Sequence, residues 1–260
     1  MQKEKRPLRS TSLNRHQGSV STCLCLFLES IGELFYGWSG KQSGEGDMLS
    51  KDLLNASDKA RYSDLARSYG LSDDATRIVC SFQSAVAAKC YENWDDVMTV
   101  ICDHWAHSHP SQRLEFFIAC GPDDDQPVRR EDLAAFFAGF TGAEGNTRVI
   151  VETTPSLRDL AILLSHAALC LSNDTGPGHL AGALHIPTVT AYLPGEIYPM
   201  RVWASTLWHR GVTLPPDAFT FAEIENAILN SHTDIINSVP AELLTAKAIC
   251  ALETQPARRQ

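Results

Sequence analysis

A chain of 260 residues can hold one large domain or two small ones. Its net charge of -9 argues against a general nucleic-acid surface, which needs a basic face, though not against a small local anion site. An apolar content of 44% with 20% charged residues suits a soluble globular core.

The most apolar early run, Cys23 to Leu28, is broken off by Glu29 and Glu33. It falls well short of the ~20 residues a membrane span needs. Without a cleavage site it predicts no secretory signal. Eight cysteines are scattered with no C-x-x-C pair. That pattern predicts a reducing, cytoplasmic setting, no disulfide framework and no cysteine-based metal site. Cys80, Cys102, Cys120, Cys170 and Cys250 stand in apolar runs, where a free thiol packs as a small hydrophobe.

Residues 1–46 read as a polar tail, a short apolar segment and a linker. Lys3, Lys5, Arg6, Arg9 and Arg15 face the single acid Glu4, which predicts a solvated flexible tail. The same charge could rest peripherally on an anionic inner membrane surface. Residues 47–75 form a helical lead-in: Asp47 to Tyr69 has helical apolar spacing that stops at Gly70.

From residue 76 to residue 260 strands and helices alternate. Ile78–Phe82, Leu114–Ala119, Val149–Val151 and Ala168–Leu171 read as strands. Trp94–Ala106 reads as a helix with Trp94, Val97, Val100, Ile101 and Trp105 on one side. Arg130–Phe140 reads as another, with Leu133, Phe136, Phe137 and Phe140 inward. Leu157–Ala167 is a third, with Ser156 and Asp159 in capping-box positions. Two further helices are expected over Phe221–Leu229 and Ala241–Leu252. The fold class is therefore α/β, a parallel sheet with helices on both faces. Ligands on such sheets lie beyond the carboxyl ends of the strands. The loops Gln83–Lys89, Gly121–Gln126 and Asn173–Gly178 should gather there.

The rest of the chain is arranged about Ser172 to Ala191. Asn173 and Asp174 turn the chain after a buried strand, and Thr175-Gly176-Pro177-Gly178 opens a helix. Pro is well placed in a first helical turn. Pro187 stops the helix, and Thr188–Tyr192 is the next strand. A strand, a Gly-containing turn and a helix start make an anion-binding geometry of free N–H groups at the positive end of a helix dipole. A tight βα connection with no ligand would have the same local sequence.

The stretch is longer than such a connection requires, and it resembles the nucleotide-sugar motif of the family 9 glycosyltransferases, the heptosyltransferases of lipopolysaccharide core. Asp174, Thr175, Gly176, His179, Leu180, Ala181, Ala183, Leu184, Pro187, Thr188 and Val189 carry the match. The resemblance covers about Arg77 to Leu214. It implies a Rossmann-like fold, the donor-binding C-terminal lobe of a two-lobed GT-B enzyme. Residues 1–75 are too few for a full acceptor lobe, so the N-terminal part is expected to be shortened or replaced.

By the same resemblance, Ser84 and Lys89 fall in the loop after the first strand. An ammonium there would offset charge on a departing diphosphate. Asp174 would accept hydrogen bonds from sugar hydroxyls, or else close an Asx-turn. Thr175 and Gly176 would donate to phosphate and His179 would face the diphosphate, although a lone histidine is commonly structural. Thr154 falls where the family contacts the base, and Asp123, within the run Asp123 to Asp125, where it contacts the ribose. Tyr192 to Glu196 departs from the family order, and Trp203 and Trp208 either wall the site or fill core.

The implied function is inverting transfer of a sugar, such as the heptose of ADP-heptose, to a lipopolysaccharide-like or other glycan acceptor. No cofactor or metal is implied, and no general base is assigned. The alternative is a non-catalytic nucleotide-sugar-binding or scaffold module. A nicotinamide enzyme is disfavoured, because no strand is followed by G-x-G-x-x-G.

Overall fold

In a computed structural model of the protein, the described residues are 56–121, 127–140, 146–193, 209–214 and 218–254. The expected tail, apolar segment and linker therefore lie outside them, as do the start of the lead-in helix, Asp123 to Asp125, Pro194 to Glu196, Trp203 and Trp208.

The elements run α1 (Ala56–Tyr69), β1 (Ala75–Ser81), α2 (Trp94–Ser108), β2 (Arg113–Cys120), α3 (Arg130–Phe137), β3 (Thr147–Thr153) and α4 (Leu157–Ser165). Then follow β4 (Leu169–Asn173), α5 (Gly176–Ala183), β5 (Thr188–Ala191), β6 (His209–Val212), α6 (Phe221–Asn230), α7 (Asp234–Asn237) and α8 (Ala241–Glu253). The six strands form one sheet in the order β3-β2-β1-β4-β5-β6, and every pairing is parallel. Such strands are buried on both faces, which is why β1, β2 and β4 read as near-continuous apolar runs.

Successive side chains alternate between two cores. Ile78, Cys80, Leu114, Phe116, Ile118, Leu169, Leu171 and Val189 pack in one cluster with Trp94, Ile101, Leu133, Phe137, Leu244 and Ala248, so α2, α3 and α8 cover that face. Val79, Phe117 and Cys170 point the other way, towards α1, α4 and α5. Tyr69 of α1 lies against Phe117, with ring centroids 5.1 Å apart. The Rossmann-like sheet with helices on both faces is thus the architecture of the chain.

Several sequence expectations need correction. Phe136 is 57% exposed and Val100 49% exposed. Phe136 neighbours the inward Phe137 on α3, and adjacent helical residues diverge by about 100°; it stands edge-on to Phe137 instead, with centroids 4.9 Å apart. Val100 falls just outside the stripe formed by Trp94, Val97, Met98, Ile101, Cys102 and Trp105. Cys250 is exposed, because Leu244, Ala248, Ala251 and Leu252 set the buried face of α8 on the opposite side. The other five described thiols, Cys80, Cys90, Cys102, Cys120 and Cys170, are buried, and none of the described cysteines is in a disulfide. The α3 helix ends at Phe137 rather than Phe140, and α4 at Ser165 rather than Ala167. Periodicity also did not predict β6 or the short α7.

Candidate functional site

The sheet order reverses between β1 and β4, which lie side by side, and open α/β sheets bind ligands at such a switch point. The two segments singled out in the sequence leave the carboxyl ends of these two strands. After β1 the chain continues through Phe82, Gln83 and Ser84 into a single 3-10 turn, Ala87–Lys89. That turn is closed by the Lys89 amide donating to the Val86 carbonyl at 2.9 Å. After β4, Asp174 and Thr175 lead into α5, with Pro177 in its first turn and no side-chain cap on its N-terminus. Pro177 has no N–H and the Gly178 amide donates to the Thr175 carbonyl at 3.1 Å, so the Gly176 amide is the donor this end offers to a ligand or solvent.

Between them lies a cleft of about 430 Å³. Its walls include Ser84, Lys89, Thr154, Asp174, Thr175 and Gly176. Six of the sequence-selected residues therefore share one cavity. His179 is not among the lining residues but stands behind Asp174, its Nε2 3.5 Å from Oδ1. Asp123 lies outside the described residues.

Lys89 Nζ reaches across the cleft mouth to Asp174 Oδ2 at 2.5 Å, with side-chain exposures of 16% and 7%. Burial pushes the Asp174 carboxyl up, but the hydrogen bond from His179 and then the charge and hydrogen bond of Lys89 outweigh it and hold it below the usual carboxylate range. Among the described residues the partners of this carboxylate are Lys89 across the cleft and His179 of α5, not amides of its own turn, so the Asx-turn alternative does not describe it. Nearby, burial first and the Asp174 charge second raise the Tyr192 hydroxyl, which keeps it a neutral donor.

Three residues that hold this geometry were not singled out in the sequence. Asn173, fully buried, accepts from the Tyr91 amide at 3.2 Å and from the Trp94 indole at 2.9 Å, and donates to the Phe82 carbonyl at 2.6 Å. Gln83 accepts from the Gly121 amide and donates to the Val128 carbonyl, each at 2.7 Å, and so ties the end of β2 to the approach of α3. Gly178 lets α5 lie on the sheet, for a Cβ there would stand 2.6 Å from Ser172 Oγ. Their only sequence signal was position at a strand end or in a Gly-rich turn.

On the remaining walls Ser84 Oγ accepts from the Val86 amide at 3.2 Å, and Thr154 Oγ1 donates to the Cys120 carbonyl at 3.3 Å. Asp174 is the single carboxylate among the described lining residues. No group of three or more His, Cys, Asp or Glu placed to hold a metal occurs among the described residues. No described helix is long and apolar enough to cross a membrane.

A six-stranded parallel sheet in this order, covered by helices on both faces, defines a Rossmann-like domain. More particularly, the chain belongs to glycosyltransferase family 9 (heptosyltransferase), whose model matches residues 45–213.

The E. coli ADP-heptose LPS heptosyltransferase II aligns with a TM-score of 0.54 at 14% identity, covering 77% of this chain and 52% of that one. A family 9 glycosyltransferase from Veillonella parvula aligns with a TM-score of 0.52 at 18% identity, covering 79% and 56%. The chain thus spans about half the length of these solved structures. No curated protein sequence matches it.

Proposed function

We propose that the Lys89–Asp174 cleft binds the diphosphate of a nucleoside-diphosphate sugar, and that the chain serves inverting transfer of that sugar to a glycan or lipid-linked glycan acceptor. The observation that carries the reading is the meeting of Lys89 with the Asp174–Gly176 turn across a cleft at the switch point. Lys89 and the Gly176 amide that opens α5 would meet the negative charge as the anomeric C–O bond to the diphosphate breaks. The acceptor hydroxyl attacks that carbon from the opposite face, while a base outside the described cleft takes its proton. Ser84 and Thr175 would orient the phosphates, Thr154 would border the base and Asp123 the ribose.

Asp174 has a double part: it holds the ammonium in place in the empty protein and offers its oxygens to sugar hydroxyls in the loaded one. The donor proposed is ADP-heptose or a close analogue, after the family description and the name of the E. coli neighbour. No metal enters this reading, and the work would be done in the cytoplasm, with peripheral contact to the inner membrane surface where the acceptor is lipid-linked.

Calorimetric titration of the intact chain with ADP tests the binding half. Saturable binding, weakened about 10- to 100-fold by Lys89→Ala, is expected. No binding, or binding indifferent to Lys89, overturns the reading. A second reading, a donor-binding module without turnover, rests on the chain spanning about half of the structures it matches. Release of free sugar or glycoside from ADP-heptose separates the two: any turnover that Lys89→Ala abolishes excludes the silent module.

A further inference from the structure

Lys89 sits at the end of a short 3-10 turn whose internal bonds, Lys89 to Val86 and Cys90 to Ala87, are local to it. Something outside the turn must fix it relative to the Asp174 loop. On its outer side Tyr91 Oη donates to the Val239 carbonyl at 3.0 Å and the Glu92 amide donates to Asn237 Oδ1 at 2.8 Å. These tie the segment to α7 and to Val239 just beyond it, neither of which lines the cleft. On its inner side the tie is Asn173.

We propose that Asn173 is a positioning residue whose carboxamide fastens the Lys89 segment to the Asp174 turn and so sets the ammonium over the anion seat. The inference rests on the donor-binding reading above and adds to it the residue that orders the seat. Asn173 Oδ1 takes two hydrogen bonds at once, one from the amide two residues beyond Lys89 and one from the indole that opens α2. Its Nδ2 ties the same point to the last carbonyl of the β1 extension, at Phe82.

Lys89 with Asp174, and Tyr91 with Asn173, form two rungs between the same two segments. One rung lines the cleft; the other is buried behind it. A carboxamide both accepts and donates, so neither a carboxylate nor an aliphatic side chain of this size satisfies all three partners. Loss of Asn173 leaves a backbone amide, an indole N–H and a carbonyl in the interior without their partner. The segment is then free to shift outward on its α7 ties, and Lys89 shifts with it.

A double-mutant cycle separates positioning from general support. ADP affinity is measured by calorimetry for the wild type, Asn173→Ala, Lys89→Ala and the double variant, with thermal melts to establish folding. Asn173→Ala is expected to weaken ADP about tenfold when Lys89 is present and less than about twofold when Lys89 is already alanine. Equal losses in both backgrounds, or no loss in either, overturn the proposal.

Should Asn173→Ala fail to fold, Trp94→Phe removes the indole N–H, together with part of the buried ring that packs on Phe82 and Tyr91, and leaves the Asn173 carboxamide in place; the same cycle then expects a loss of a few-fold only in the presence of Lys89. Should the wild type not bind ADP, the donor reading falls, and the carboxyl ¹³C titration of Asp174 still decides positioning. The charged and titratable groups facing that carboxyl are Lys89, His179 and Tyr192. Its midpoint is expected to rise in Asn173→Ala and in Lys89→Ala, and no further in the double variant. An unmoved midpoint in Asn173→Ala contradicts it.

Discussion

Gly178 and Ser172 set how closely α5 lies on the sheet. An alanine Cβ at position 178 would stand 2.6 Å from Ser172 Oγ and 3.0 Å from its Cβ, inside any normal contact. Gly178→Ala is therefore expected to lower stability by about 1–3 kcal/mol, read as a fall in the urea midpoint, and Ser172→Gly in the same chain should return part of it. An unchanged midpoint would mean that α5 does not pack as described.

Asp174 makes a second prediction at this scale. Its folded carboxyl lies below its ordinary value of about 3.9, so the stability it adds is present above that pH and is lost as pH falls through the folded value. Asp174→Asn is expected to cost about 2 kcal/mol at pH 7, with a smaller gap to the wild type at pH 3. A gap of the same size at both pH values contradicts the assignment. That Lys89 and Asp174 stand at the ends of two strands was readable from the sequence, because both follow apolar runs that could only be buried strands. That Asn173 joins them was not. A polar residue before Asp in a turn reads as turn chemistry, and its partners Phe82, Tyr91 and Trp94 are brought near only by β1 and β4 pairing side by side.

The helices show where periodicity succeeds and where it stops. It located α2, α3, α4, α6 and α8 to within a few residues, since each buries a stripe against the sheet. It gave no sign that α1 would clasp α4. Asp58 holds Arg158 through two hydrogen bonds of 2.9 and 3.0 Å, and Arg61 holds Asp159 through two of 2.7 and 3.1 Å. Tyr62 stacks on His166, just past the end of α4, with centroids 3.5 Å apart. These partners are about a hundred positions apart in the chain, and no local pattern records them.

The pairs are reciprocal, and Asp58 and Asp159 are buried beneath their arginines. Asp58→Ala is expected to lower the unfolding free energy by about 1–2 kcal/mol and to speed hydrogen exchange along α1 more than along β1. Exchange accelerated equally in both would place α1 inside the cooperative core instead of on its flank.

At the scale of the molecule, alternating strands and helices with short links dictate right-handed crossovers and hence a parallel sheet. The order β3-β2-β1-β4-β5-β6 follows when the chain starts in the middle, builds outward on one side and returns to build on the other. Only β6 escaped the sequence, since His209–Val212 carries no apolar alternation and joins the sheet purely by pairing with β5. The return at β4 creates the switch point, and the switch point places Lys89 opposite the α5 N-terminus. Fold and site are in that sense one consequence of chain order.

The most direct test of the account is a crystal structure of the chain grown with ADP. The expected result is a diphosphate in the cleft, with oxygens within hydrogen-bonding distance of the Gly176 amide and of Lys89 Nζ. ADP bound elsewhere on the molecule, with Lys89 still closed on Asp174, would contradict it.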